Sequence, residues 1–359
     1  EANKQKILFE VKESVRNGSD ILIFPEMFFS GYQPLDLVAK KSFLEDIYRN
    51  LEKLAKEIKK FRKSVLLGAP IQTNGKIYNA CVMLKDGVVE IGSHKVHLPN
   101  YDVFDERRYF STSETIKLVK LDGINIGLPI CEDSWFPDVI ADMKKKGADL
   151  IIVTNGSPYE TGKLEERQNL IKKHCHETEL PIIYLNLIGG QDDVVFDGGS
   201  FVCDKKGEIV EQLPQFKEFT KQLTFEKSSK ILRPLPKRSE VKVLSTLNQD
   251  YEALVLGLRD YVNKSNFEKV VLGLSGGVDS ALVAVIAKDA LGSENVLTVA
   301  LPSKFNASSS LSDAQALADN LNVNFKILNI NKMVDISEEV LASIFSGMER
   351  DITEENIQS

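Results

Sequence analysis

The stretch KVVLGLSGGVDSALVAVIAKDAL, residues 269–291, divides into a short apolar strand, a loop with two adjacent glycines and an apolar helix. The glycines let the backbone approach a ligand closely, and Ser275, Ser280 and the first helical N–H groups then face an anion at the positive end of the helix. This is the layout of a phosphate cradle. No Gly-Lys-Ser/Thr follows, so it is not a Walker A loop, and the Gly-x-Gly-x-x-Gly spacing is also absent. Asp279 is the informative departure, because a carboxylate among phosphate-binding amides repels the ligand unless a divalent cation lies between them. The bland alternative is a plain glycine-rich turn.

On either side the alternation continues. NQDYEALVLGLRDYVNKS reads as an amphipathic helix before the strand, and NVLTVALP, LSDAQALADNL and NFKILNI read as strand, helix and strand after it. Strand, loop and helix in this order predict a doubly wound parallel sheet for residues 246–359. Residues 214–245 turn irregular, charged and proline-bearing (LRPLPKRSEVK) and read as a connector.

Residues 1–213 carry a different mixture. KQKILFEVKESVRNGSD spaces Ile7, Leu8, Val11 and Val15 on one helical face and closes at Asn17-Gly18; ILIFP is a buried strand stopped by Pro25. A long amphipathic helix (FLEDIYRNLEKLAKEIKKF) and strand candidates SVLLGAPI, YNACVMLK, IKLVKL and INIGLPI follow. DVIADMKKKGADLIIVTN and LEERQNLIKKHCHETELPIIYLNLIGG each read as helix, turn and strand, and GSFVCDKKGEIVEQL as a hairpin. These elements predict a layered α/β domain with some antiparallel pairing.

Composition narrows the partners. The chain has 359 residues, 43% hydrophobic and 27% charged, enough for two buried cores. A formal net charge of −7 gives no support to nucleic-acid or anionic-membrane binding, so small molecules are the expected partners. No apolar run reaches the roughly 18 to 20 residues of a membrane span. The start, EANKQKILFE, lacks the basic and apolar regions of a signal peptide, which points to a cytoplasmic protein. The four cysteines, Cys81, Cys131, Cys175 and Cys203, are widely spaced and are expected as free thiols. The four histidines form two local pairs without a zinc spacing.

GLPICEDSWFP, residues 127–137, sets a cysteine at a strand end against two acids, which raise a thiol's pKa rather than activate it. Such a thiol needs a base and something to hold an oxyanion, and no histidine stands in a convincing position. IFPEMFFSGY puts Glu26 directly after the strand that breaks at Pro25, and HKVHLPNYDVFDERRYF puts Lys95 just before a proline-stopped turn. Taken singly, these are a loop acid, a surface lysine and a core cysteine. Together, a glutamate base, a cationic lysine and a cysteine nucleophile make a complete amide-hydrolysing set. Cys175 is the competing nucleophile but lies mid-helix with no adjacent strand end or glycine-rich turn, and Cys81 and Cys203 alternate with polar residues on strands and read as core side chains.

The 275–280 loop resembles the SGG-x-DS motif of the ATP pyrophosphatases, which implies Mg2+-ATP binding and adenylation of a carboxyl or carbonyl oxygen. FPEMFFSGY, HKVHLPNY and GLPICEDSWFP resemble the three landmarks of the nitrilase, or carbon-nitrogen hydrolase, family. The chain as a whole resembles the glutamine-dependent NAD synthetase family, with further agreement in NGSPYETGKLEER, NLIGGQDDVVFDGGSFV and TEENIQ. The resemblance implies a nitrilase-like α/β/β/α sandwich followed by an ATP-pyrophosphatase, Rossmann-like sheet.

By the same resemblance Glu26 is the base, Lys95 the oxyanion stabiliser and Cys131 the nucleophile, with Tyr101, Ser157 and Lys163 holding glutamine. Gly273, Leu274, Ser275, Gly276, Gly277, Val278, Asp279 and Ser280 hold ATP, Asp279 its Mg2+, and Asn356 deamido-NAD. The lysine offsets the acids and Glu26 takes the thiol proton, while Glu132 and Asp133 engage backbone or the ligand amine. Ammonia released from glutamine then passes to the second domain and amidates deamido-NAD, shielded because free ammonia is mostly protonated at neutral pH. Large homo-oligomers are usual for the family.

Two departures stand out. The family opens with a short strand before the first helix, and it continues past DITEENIQS with an arginine-rich segment, further ligands and a late lysine. The synthetase domain therefore reads as C-terminally incomplete. Three other functions fit the same residues: an amidase whose ATP domain is vestigial, a glutamine-fed adenylating enzyme acting on another acceptor, and a non-catalytic binding protein. ATP-indifferent amide hydrolysis marks the first.

Overall fold

A computed structural model describes residues 2–228, 231–235, 242–302, 308–344 and 346–347. Two compact units divide the chain, Glu1–Ala253 and Leu254–Ser359.

In the first unit, α1 (Ala2–Asn17) leads to β1 (Ile21–Ile23), then α2 (Lys41–Ile58), β2 (Ser64–Thr73), β3 (Lys76–Lys85) and β4 (Val88–His94). The four strands form one sheet in chain order, with β1 parallel to β2 and the rest antiparallel. Next come β5 (Leu118–Leu121), β6 (Ile124–Gly127), α3 (Pro137–Lys145), β7 (Leu150–Asn155), α4 (Lys163–Thr178) and β8 (Ile182–Asn186). A small hairpin, β9 (Ile188–Gln191) and β10 (Val194–Asp197), precedes β11 (Phe201–Cys203) and β12 (Ile209–Gln212). The second sheet has the order β12-β11-β8-β7-β6-β5, parallel across β6, β7 and β8 and antiparallel at both edges.

Side-chain alternation turns these sheets into layers. On β2, Val65, Leu67 and Ala69 face Ile7, Val11, Leu51, Leu54 and Ile58 of the two helices, while Leu66 faces the other way. Leu66 joins Cys81 and Met83 against Ile126, Leu150 and Ile152 of the second sheet. On β7, Ile151 and Val153 pack on Val139, Met143 and Ile171 of α3 and α4. Both sheets are thus covered on both faces, which is why SVLLGAPI and LIIVTN read as continuous apolar runs. The layering is the α/β/β/α sandwich expected of the resemblance.

The connector is more ordered than its irregular text suggests. Residues β13 (Thr224–Ser228) and β14 (Ile231–Leu235) pair as an antiparallel hairpin. Leu223 and Phe225, two apart, and Leu232 pack on the inter-sheet core, so a period-2 apolar face hides among charges and a proline. The first turns of α5 (Thr246–Lys264) belong with the first unit.

In the second unit, β15 (Val270–Gly273), α6 (Val278–Leu291), β16 (Val296–Ala300), α7 (Ser308–Leu321), β17 (Asn324–Ile327) and α8 (Asn331–Leu341) follow. The strands form a parallel sheet in the order β15-β16-β17. Leu274, Ala284, Ala314 and Ala318 make its core, the small side chains letting α6 and α7 lie close. Among the described residues no helix is long and apolar enough to cross a membrane.

Candidate active site

Glu26 follows β1 where the chain leaves the sheet. Phe24 N–H still pairs with Leu66 O, then Met27 takes a left-handed φ of 50° and turns the chain away. Gly68 of β2 makes this possible: a Cβ there would overlap the backbone of Glu26 and Met27. Lys95 directly follows β4, its N–H donating to Asn79 O of β3 at 2.8 Å.

Cys131 sits one residue past Ile130, which bridges to Thr154 of β7, at a left-handed φ of 44° opening a 3-10 turn, Cys131–Ser134. Ser134 Oγ donates to Cys131 O at 2.7 Å, and the ring of His174 donates to Ser134 O at 2.7 Å. Asp133 ties this turn to the lysine turn. One of its oxygens accepts the N–H groups of Val96 and His97 at 2.9 and 2.8 Å, the other that of Ile130 at 2.9 Å.

Between these backbone turns lies a buried charged cluster. Lys95 and Glu26 have no exposed side-chain surface, and Lys95 Nζ stands 2.8 Å from Glu26 Oε1 and 2.9 Å from Glu106 Oε1. Asn79 Nδ2 donates to Glu26 Oε1 at 2.6 Å and Gly156 N–H to Glu26 Oε2 at 2.6 Å. Tyr32 OH donates to Glu106 Oε1 at 2.8 Å. Burial opposes the lysine's charge, but Glu106 and Glu26 outweigh it and hold its pKa well above the usual value. Glu106 is raised by burial, with Lys95 pulling the other way. The Cys131 thiol is pushed well up, by burial first and then by Glu26, with Lys95 opposing. It therefore rests as a neutral thiol, within electrostatic reach of Glu26 and of the Lys95 ammonium. This arrangement can take the thiol proton on Glu26 and balance developing negative charge with Lys95.

Glu106 and Asn79 were not singled out by sequence reading. A usable signal exists for each: Glu106 is an acid set among Phe104, Tyr109 and Phe110, and Asn79 is a lone amide in the apolar strand YNACVMLK.

Of the residues matched to glutamine binding, Tyr101 and Lys163 lie against the cysteine turn and Ser157 follows Gly156. Tyr101, half exposed, donates its hydroxyl to Glu132 Oε2 at 2.9 Å. Ser157 is buried, its Oγ accepting from Arg167 Nε at 3.1 Å. Lys163 Nζ stands 4.9 Å from the ring centroid of Trp135, at the end of the cysteine turn, and pairs with Glu166 and Glu160 at 3.1 and 3.3 Å.

The other thiols are buried and free. Cys175 and Cys203 share the core under α3 and α4, and burial pushes the Cys81 thiol up to about 12. Among the described residues no group of three or more His, Cys, Asp or Glu side chains is arranged to hold a metal ion.

In the second unit, Gly273 ends β15 and Leu274 N–H pairs with Val299 O at 2.8 Å. Gly276 then takes φ 86°, and a Cβ there would overlap the Ser310 backbone of α7. Gly277 precedes the first turn of α6, which holds Val278, Asp279 and Ser280. The Ser275 and Ser280 hydroxyls stand 3.0 Å apart, and Gly277 N–H donates to Ser275 Oγ at 3.2 Å. Loop, hydroxyls and helix N-terminus lie at the surface, a cradle of donors suited to an anion. Asp279 is exposed beside them, and Asn356 lies outside the described residues.

Comparison with known proteins places both units. The family profile described as Carbon-nitrogen hydrolase matches residues 1–228, and that described as NAD synthase matches residues 250–359. A glutamine-dependent NAD(+) synthetase of Rhodobacter capsulatus is 42% identical over 358 residues, covering 100% of this chain and 64% of that protein. The one from Thermotoga maritima is 38% identical over 390 residues, covering 100% of this chain and 68% of that protein. The chain thus spans about two thirds of the length of these relatives. The structure of the glutamine-dependent NAD+ synthetase of Acinetobacter baumannii, solved in complex with ADP, is similar with a TM-score of 0.93 and 35% identity, covering 99% of this chain and 67% of that one.

Proposed function

The chain belongs to the glutamine-dependent NAD(+) synthetase family, and from that membership we propose that it hydrolyses glutamine in its first unit and uses the ammonia in its second to amidate deamido-NAD with ATP. The observation that carries this reading is Lys95 Nζ held at 2.8 Å from Glu26 Oε1 in a cluster that raises the buried Cys131 thiol.

Glu26 takes the Cys131 proton as Sγ attacks the side-chain amide carbon of glutamine. Lys95 balances the charge that develops on the carbonyl oxygen. Protonation of the leaving nitrogen by Glu26 expels ammonia and leaves a thioester on Sγ. Water then attacks, Glu26 takes its proton, and the broken C–S bond frees glutamate and the thiol. A neutral resting thiol suits this sequence, because the proton needed by the leaving group is carried in by the nucleophile itself. Tyr101, Ser157 and Lys163 hold the substrate.

In the second unit, the loop from Gly273 to Ser280 holds ATP, with Gly276 and Gly277 giving the backbone its close approach. Asp279 fits a Mg2+ ion that offsets phosphate charge, the reason a carboxylate is tolerated at this helix N-terminus. ATP activates the nicotinate carboxylate of deamido-NAD, and ammonia displaces AMP to give NAD, with pyrophosphate as the other product. Asn356 is assigned to deamido-NAD. These substrates suit a cytoplasmic enzyme.

The test uses protein from the complete reading frame with Mg2+-ATP, deamido-NAD and glutamine labelled with nitrogen-15 in its amide. Labelled NAD, lost in Cys131→Ala and regained unlabelled when ammonium is added, is the expected result. Glutamate release without NAD from any nitrogen source would overturn the synthetase half and leave an amidase.

A further inference from the structure

Residues 156–162 form the loop between β7 and α4, and its two ends are tied to different parts of the chain. At the start, Gly156 N–H donates to Glu26 Oε2 at 2.6 Å. Arg167, buried on α4, fixes the next step: it donates to Ser157 O at 3.0 Å, to Pro158 O and to Ser157 Oγ at 3.1 Å. At the far end, Tyr159 OH and Thr161 Oγ1 both donate to Asp250 Oδ1, at 2.6 and 3.0 Å. Asp250 stands in the second turn of α5, outside the sandwich. A second route runs beside the first, because Gln215 Nε2 donates to Gln249 Oε1 of the same turn at 3.2 Å and to Asp197 Oδ2 at 3.1 Å, and Asp197 is the ion-pair partner of Arg167 at 2.7 Å.

We propose that Asp250 is a positioning residue for glutamine hydrolysis: by holding Tyr159 and Thr161 it fixes the loop whose first residues bind Glu26 and border the substrate. The inference rests on the glutaminase reading above. Asp250 touches neither substrate nor reacting atoms. Its two hydrogen bonds are charge-assisted, the stronger kind, and they restrain the side of the loop that Arg167 does not reach. Glu26 has Lys95 and Asn79 as further anchors, and Ser157 is held by Arg167 and by Asn186, whereas the side chains of Tyr159 and Thr161, which lead on to Lys163, are held by Asp250. Releasing Asp250 therefore loosens the outer part of the loop, whose Glu160 O accepts the Lys163 N–H at 3.0 Å, while Gly156 keeps its bond to Glu26, so substrate binding weakens more than chemistry slows.

The experiment measures glutamate release and ammonium-driven NAD formation by the full-length protein and its variants. Asp250→Ala is expected to raise the KM for glutamine about tenfold, the equivalent of one net charge-assisted hydrogen bond, with kcat within about twofold. Asp250→Asn keeps an acceptor oxygen for both hydroxyls without the charge and is expected to recover most of the loss in KM. Ammonium-driven synthesis should be unchanged in both. Unaltered glutamine kinetics in Asp250→Ala, equal damage in Asp250→Asn, or parallel loss of ammonium-driven synthesis would each overturn the proposal. If Asp250→Ala does not fold, Tyr159→Phe with Thr161→Val carries the same expectation, and wild-type KM in that variant overturns it. Failure of the unaltered protein to release glutamate would overturn the glutaminase reading, and this inference with it.

Discussion

Gly156 and Glu26, 130 residues apart in the chain, meet through a 2.6 Å hydrogen bond from backbone N–H to carboxylate Oε2. A Cβ at Gly156 would lie 3.0 Å from the Tyr32 ring and 3.1 Å from that same Oε2. The ring is buried and the carboxylate is held by Lys95 and Asn79, so neither gives way without moving the base. Gly156→Ala should lower kcat for glutamine hydrolysis by about ten- to a hundredfold, since displacements of under an ångström are costly at a reacting centre. Steady-state kinetics check this, with ammonium-driven synthesis as the internal control.

The Lys95 cluster has unequal members. Lys95→Met leaves Glu26 and Glu106 buried and facing each other, and should cost about 3–5 kcal/mol of stability along with all hydrolysis. Glu106→Gln keeps the Lys95–Glu26 pair and should fold, with kcat down about ten- to a hundredfold as the lysine loses its second anchor. Denaturant melts and kinetics on the two variants separate these outcomes.

Asp133 makes the site sensitive to acid. Burial raises its carboxyl to about 6, against the opposing N–H donors of His97, Ile130 and Val96. The folded protein thus holds this proton more tightly than the unfolded chain, so the group's contribution to stability falls as pH rises from the ordinary carboxylate range through about 6. Catalysis runs the opposite way. Both oxygens accept N–H groups, and protonation sets an O–H against one of them, loosening the cysteine and lysine turns. We expect kcat/KM for glutamine to fall below about pH 6, and Asp133→Asn to flatten that limb at reduced activity. A wild-type acid limb retained in Asp133→Asn would assign it to another group.

The phosphate loop should fail independently of the glutamine site. Gly276→Ala combines a left-handed φ of 86° with overlap on the Ser310 backbone, and should abolish NAD formation from glutamine and ammonium alike while glutamate release persists. Asp279→Asn should raise the KM for Mg2+-ATP about tenfold, roughly the loss of one charged ligand. Titration with ATP at fixed Mg2+ measures it.

Local pattern carried much of this protein into view. The loop at Ser275 to Ser280 is a contiguous strand-glycine-helix string, and Glu26, Lys95 and Cys131 each stand beside a strand end, so short local windows single them out as candidates. Two-sided burial of β2 and β7 is written in their unbroken apolar runs. The hairpin β13–β14 was hidden because its few apolar positions acquire meaning only against the inter-sheet core they cover.

What the sequence determined by itself was the order of elements and the chemical types available, because backbone propensity and side-chain periodicity act over a few residues. Tertiary structure decided which groups meet. Lys95 reaches Glu106, Asn79 and Gly156 both reach Glu26, and Asp133 joins two turns 36 residues apart. Those contacts exist because two sheets pack face to face and exclude water, and only inside that packing do a surface-type lysine and two glutamates become a buried charged cluster.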